Sequence, residues 1–228
     1  MNPVDTASFR PRALRAEERS RLLARTVQVP GQRGEPVALP ALWTKEAQLR
    51  PIVVTAVAEA EQPVLPALLD VFAQVQLRLP ENLSPVLLVA GAGAMPAASS
   101  YSDDVFLVRQ QEPEGWPVLL AAADLFLATS PDASQAVYEA MSTGLPVIGT
   151  TGGSLEKDVT TGGHEANGWL ADEGDTGALV SAFVQACLYR PERLRRGTAA
   201  AEYVRASLRV RGPRSAAGCP PQLPVDAA

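Results

Sequence analysis

From residue 51 onward, short β-branched or leucine-rich runs alternate with segments of helical period and glycine-bearing loops. The runs are Ile52–Val57, Pro85–Ala90, Val105–Val108, Leu125–Ala128, Pro146–Gly149 and Trp169–Ala171. Most are continuously apolar rather than alternating, which is how a strand reads when helices cover both faces of its sheet. Repeated strand–helix units predict an α/β fold with a parallel sheet. Between the strands, Pro63–Leu79 reads as a helix, because Leu65, Leu68, Leu69, Phe72, Val75 and Leu79 recur at helical spacing. Pro63 suits a first-turn position, and Pro66 must lie in that turn. Pro117–Ala123, Ser134–Thr143 ending at Gly144, and Thr176–Tyr189 are further helices, and Pro191 starts a last one to about Leu208.

Two regions fall outside this pattern. Residues 1–50 hold one basic helix, Ala13–Arg25, and a Pro/Gly-rich connection through Gly31, Gly34, Pro36 and Pro40. Residues 211–228 have the Pro, Ala and Gly content of a disordered tail. The sheet unit is therefore expected over 51–210. The whole chain of 228 residues is long enough for one large domain or two small ones. No apolar run approaches the roughly 18 residues of a membrane span, and Met1 to Arg10 lacks the pattern of a signal peptide, so the expected location is cytoplasmic. Cys187 and Cys219 have no zinc-like spacing and suit a buried apolar position and a tail position, so no metal is expected.

Charge is unevenly distributed. Residues 51–188 carry 3 basic side chains (Arg78, Arg109, Lys157) against 17 acidic ones, whereas the two ends together carry 17 against 8. So acidic a middle is a poor partner for a phosphate backbone, and nucleic acid is not an expected ligand. At the ends, arginines interleave with Glu17, Glu18, Glu192 and Glu202, the pattern of solvated helix faces.

In an open parallel sheet, ligands lie at the carboxyl ends of the strands, so the loops there carry the functional reading. Gly91-Ala92-Gly93 follows the second strand, where glycine permits close backbone approach to a ligand or simply a tight turn. Thr129 to Ser134 leads into the helix bearing Glu139; Asp132 or Ser134 can cap that helix, and its first N–H groups offer a seat for phosphate. Glu139 taken alone is an exposed helix glutamate, but its two oxygens also suit the two hydroxyls of a ribose. Gly152 and Gly153 open the loop after the next strand, with room for phosphate or sugar or for a plain connection. His164, the single histidine, sits in a polar loop and reads as surface.

Taken together, Ala121 to Ser130, Glu139-Ala140-Met141-Ser142-Thr143-Gly144-Leu145-Pro146-Val147-Ile148-Gly149-Thr150 and Gly152-Gly153 resemble, in order and spacing, the carboxyl-terminal donor-binding domain of retaining GT-B glycosyltransferases. This is the group 1 or family 4-like set related to glycogen and sucrose synthases. Asn167-Gly168-Trp169-Leu170, Gly91-Ala92-Gly93 and Asn2-Pro3-Val4-Asp5 with Phe9 and Pro11 extend the resemblance over nearly the whole chain. It implies a three-layer, Rossmann-like half-domain, a nucleotide-diphosphate sugar as substrate and no cofactor. It also implies a donor site: Glu139 at the ribose, the backbone of Ser134, Gln135 and Ala136 at the diphosphate, and Gly152 and Gly153 in the adjoining loop.

The sequence departs from that family at the reacting end. The first glutamate of the family's pair falls on Pro131, with Asp132 adjacent. The Arg and Lys that neutralise the leaving diphosphate should lie near Ala58 and Pro63, neither of them basic; Arg109 and Lys157 are the available substitutes. These departures leave two functional expectations: glycosyl transfer with a second chain supplying the acceptor half, or a catalytically inactive scaffold or regulatory subunit. An epimerase or hydrolase on the same architecture is a third class, for which no catalytic residue stands out.

Overall fold

The computed structural model describes residues 50–91, 104–108 and 115–210 throughout, and residues 4–11, 14, 17–19, 21, 23, 29–30 and 36–37 of the amino-terminal part. The apolar runs form six strands: β1 Ile52–Ala56, β2 Val86–Ala90, β3 Val105–Val108, β4 Leu125–Leu127, β5 Val147–Thr150 and β6 Gly168–Ala171. All pair in parallel, in the order β3-β2-β1-β4-β5-β6. This is the Rossmann-like, doubly wound arrangement. Among the described residues the accompanying helices are α1 Leu65–Leu77, α2 Gly115–Ala122, α3 Gln135–Ser142, α4 Leu155–Asp158, α5 Thr176–Leu188 and α6 Arg190–Val210.

Neighbouring strand residues are dealt alternately to two apolar clusters, as the pleat requires. Val53, Leu87, Leu125 and Ile148 pack with α1 and α5 on one face. Val54, Leu88, Phe126 and Val147 pack with α2, α3 and α6 on the other. Both faces are thus dry, which is why the strands read as unbroken apolar runs. Phe72, Phe126 and Phe183 are fully buried, each worth roughly 1.5–3 kcal/mol relative to exposure. Gly144, with φ +86°, ends α3 in the left-handed region expected of a glycine after a helix.

Three expectations are corrected. Pro63 is not in the first turn of α1; it lies in a 3-10 turn, Glu59–Val64, and the α-helix opens at Leu65 with Pro66 in its first turn. The last helix starts at Arg190, with Pro191 just inside it. The arginines are not merely solvated: Arg19 donates to the Ala122 carbonyl at 2.6 Å and pairs with Asp124. Arg193 is buried and donates to the Ala186 and Cys187 carbonyls at 2.7 and 3.0 Å, closing the end of α5. Burial pulls its guanidinium below the ordinary pKa. The cause lies in packing: α6 lies on α3, and Leu23 of the amino-terminal helical stretch is fully buried in the sheet's core. Arg21 with Glu17 is an exposed pair of the expected kind.

Cys187 is buried as its sequence context suggests, and burial pushes its thiol up to about 12, so it packs as an apolar group. Phe9 packs against the core, and the Ser142 hydroxyl donates to its carbonyl at 2.6 Å. A short antiparallel ladder, in which Val29–Pro30 pairs with Pro36–Val37, lies beside β3. Gly93, Arg109, Cys219, the rest of the Pro/Gly-rich connection and residues 211–228 lie outside the described residues. Among the described residues no helix is long and apolar enough to cross a membrane.

Gly197 brings α6 directly onto the turn before β5, where an added Cβ would overlap the Gly144 carbonyl oxygen. Gly197→Ala is expected to destabilise the fold by about 3 kcal/mol, the upper range for overpacking. A lowered urea midpoint with an unchanged denaturant slope would register it.

Candidate functional site

The chain leaves β1 toward β2 and β3, then returns to build β4, β5 and β6 on the other side of β1. Crossovers diverge at such a reversal and open a crevice at the carboxyl ends of the two strands. Here it is bounded by Ala56 and Phe126 at the strand ends, by Glu61 from the turn after β1, and by Thr129, Asp132 and Ser134 after β4. Among the described residues, no Lys or Arg lines it. Sequence reasoning missed Glu61, although it is within three residues of Ala58. Its Oε2 accepts from the Ala58 N–H at 3.1 Å and lies 3.0 Å from the Thr129 hydroxyl. A carboxylate therefore stands where the resemblance implies cations.

The loops after β4 and β5 are tied together. The Leu155 N–H donates to the Pro131 carbonyl, the Ser154 N–H to Asp132 Oδ1, and the Ala133 N–H to Ser154 Oγ, each at 2.9 Å. Gly153 makes this approach feasible, since a Cβ there would lie 2.6 Å from the Pro131 carbonyl oxygen. Gly152 has φ +102°, and its N–H donates to Glu156 Oε2 at 3.3 Å. Asp132 consequently does not cap α3, contrary to one expectation from the sequence. Ser134 is the N-cap residue, with extended backbone and no side-chain cap bond. Asp132 is claimed instead by Ser154, whose N–H and hydroxyl, helped by the more distant Lys157 charge, hold its pKa below the ordinary 3.8.

Glu139 lies in α3, half-buried. Its Oε2 accepts from Trp116 Nε1 of α2 at 2.7 Å, and its Oε1 accepts from Gln135 Nε2 at 3.2 Å. Trp116 escaped the sequence reading, although a tryptophan in an otherwise aliphatic helix signals an N–H needing a partner. Gln135 and Ala136 are half-buried in the first turn of α3 beside the exposed Ser134. Gly91, with φ +83°, lets the exit of β2 meet that of β1: a Cβ would come 2.8 Å from the Val57 carbonyl oxygen.

Residues 50–188 match the family model of glycosyl transferases group 1. The chain belongs to this family. Solved structures agree in fold. Sucrose-phosphate synthase from Thermosynechococcus elongatus is similar at TM-score 0.61 and 22% identity, over 90% of this chain and 46% of that one. Anabaena HepE in complex with UDP and glucose is similar at 0.60 and 16%, over 90% and 51%. The C-terminal domain of a glycosyl transferase group 1 family protein from Francisella tularensis is similar at 0.59 and 14%, over 89% and 97%. The chain thus spans about half the length of the first two and nearly all of the third. No curated protein sequence matches it. The fold is that of one GT-B half-domain.

The two expected substitutes for the family's missing cations have different standings. Lys157 is exposed on α4 and does not line the crevice; Arg109 lies outside the described residues. His164 is exposed, and its carbonyl accepts from Arg195 Nη1 at 2.5 Å. Arg196 completes the strap by donating to the Thr161 and Gly168 carbonyls and stacking 4.2 Å above Trp169. Both arginines bind Glu192 and hold its carboxyl down at about 2. These charges brace the loop before β6 rather than facing the crevice.

Because the Asp132 pKa is depressed on folding, its stabilisation is complete above pH 3.8 and disappears as pH falls through the lower folded value. Asp132→Asn is expected to lower the thermal midpoint at pH 6 and to converge on the native chain as pH falls through the depressed folded value. Melting curves across that range check the sign.

Proposed function

We propose that this group 1 glycosyltransferase domain binds a nucleoside-diphosphate sugar, with the nucleoside at Glu139 and the diphosphate at the start of α3. The observation carrying this reading is Glu139 itself: a half-buried carboxylate, oriented by Trp116 and Gln135, one turn inside a helix whose N-terminus has no side-chain cap. An ionised carboxylate accepts about four hydrogen bonds, so two engaged by the protein leave capacity for a vicinal diol. The uncapped first turn offers N–H groups and a favourable dipole to phosphate. Ser134, Gln135 and Ala136 supply that turn, while Asp132 lines the crevice and Gly153 brings the next loop against it. HepE, solved with UDP and glucose, has the same fold.

Glycosyl transfer further requires that negative charge on the departing diphosphate be stabilised. One positioned donor is typically worth about 3–4 kcal/mol at such a transition state. Among the described residues the crevice presents Glu61 and Asp132 and no cation, so transfer needs positive charge from Arg109 or from outside this domain, together with an acceptor surface such as a second chain could supply. Glu61 also favours a second reading, in which the chain binds a nucleotide sugar and serves as a scaffold or regulatory subunit without transferring it.

Calorimetric titration with UDP, ADP and GDP, and with their glucose conjugates, tests binding. A dissociation constant below roughly 1 mM for one nucleotide is expected, and no heat with any of them refutes the reading. Glu139→Ala should abolish the rise in melting temperature given by that nucleotide. Release of sugar or diphosphate by the isolated chain would argue against the need for a second chain, and stable binding with no turnover alongside any co-purified chain would support the scaffold reading.

A further inference from the structure

We infer that Trp116 is a positioning residue that gives the site its preference for a ribose diol. The inference rests on the proposed binding of a nucleotide at Glu139 and concerns a residue on a different helix. Trp116 belongs to α2, which follows β3, whereas Glu139 belongs to α3, which follows β4. The indole is partly buried against the core cluster containing Leu119, Phe126 and Val137, so its ring is fixed by packing. Its Nε1–H donates to Glu139 Oε2 at 2.7 Å, the short distance of a bond to an ionised acceptor.

Indole is a donor only and cannot reverse its role. It therefore holds one oxygen of Glu139 in place, while Gln135 Nε2 approaches the other oxygen from one turn earlier at 3.2 Å. With one donor on each oxygen, the carboxylate cannot turn freely about its last torsion. Its remaining lone pairs keep a fixed direction, one from each oxygen, which is the pattern two adjacent hydroxyls require. A carboxylate without the indole would still carry charge but would lose that direction.

The test is calorimetric titration of the full chain and of Trp116→Phe, using UDP, ADP and GDP and the 2′,3′-dideoxy form of each. Phenylalanine keeps a ring in the core but removes the N–H. The expected result is a loss of about fivefold in affinity for the ribonucleotide, the size of one ordinary hydrogen bond, with the dideoxy affinity unchanged. Equal losses for both sugars would reduce Trp116 to a structural role, and unchanged affinity for both would remove it from the site; either overturns the inference. Should Trp116→Phe fail to fold, Gln135→Met removes the opposite donor and must give the same ribose-selective loss, its absence overturning the inference. Failure of the native chain to bind any of the nucleotides overturns the underlying reading and this inference with it. Nucleotide binding that depends on Glu139 but is indifferent to Trp116→Phe overturns the inference alone.

Discussion

The candidate site depends on the reversal of strand order at β1. β1 pairs in parallel with β2 on one side and with β4 on the other, and the register places Val53 opposite both Leu87 and Leu125. Thr55, fully buried, donates its hydroxyl to the Leu127 carbonyl at 2.8 Å and so pins the β1–β4 seam just below the crevice. A buried hydroxyl left without that acceptor would cost about 1–3 kcal/mol. The segments that rise from this seam carry Glu61, Thr129 and Asp132, and the two strand ends form the floor between them.

The electrostatic character of the domain follows from where its cations are used. Arg19 is committed to a carbonyl oxygen and a carboxylate between α2 and β4, and Arg193, Arg195 and Arg196 to carbonyl oxygens and a carboxylate around α6, the end of α5 and the loop before β6. They supply donors and counter-charges that the acidic middle of the chain lacks. Among the described residues, none brings such a charge to the carboxyl ends of β1 and β4. Glu61 instead takes the Ala58 N–H and the Thr129 hydroxyl, and Asp132 takes the Ser154 N–H. Backbone N–H groups beside the crevice are thus partly engaged by the protein's own carboxylates.

The same use of donors ties the two loops together. Gly153 is needed for contact between backbones, and the bonds around Pro131, Asp132 and Ser154 close the gap that a larger residue would hold open. Glycines that suggest room for a ligand in the sequence are, in the folded chain, also the means by which one loop supports the next.

The apolar runs, their lengths and the helices between them determined the parallel sheet from sequence alone, because strands buried on both faces admit no polar alternation and Val, Leu and Ile leave no other reading. Family motifs in 121–153 likewise singled out Glu139 and the loops beside it as candidates. Three things were decided only in three dimensions. The burial of Arg193 depended on α6 folding back over α5, the diversion of Asp132 from its cap on how near Ser154 comes, and the pairing of Trp116 with Glu139 on two helices from different crossovers meeting. Each is a contact set by packing distance rather than by spacing along the chain. Periodicity records which side of an element is buried; it does not record which donor reaches a carboxylate first.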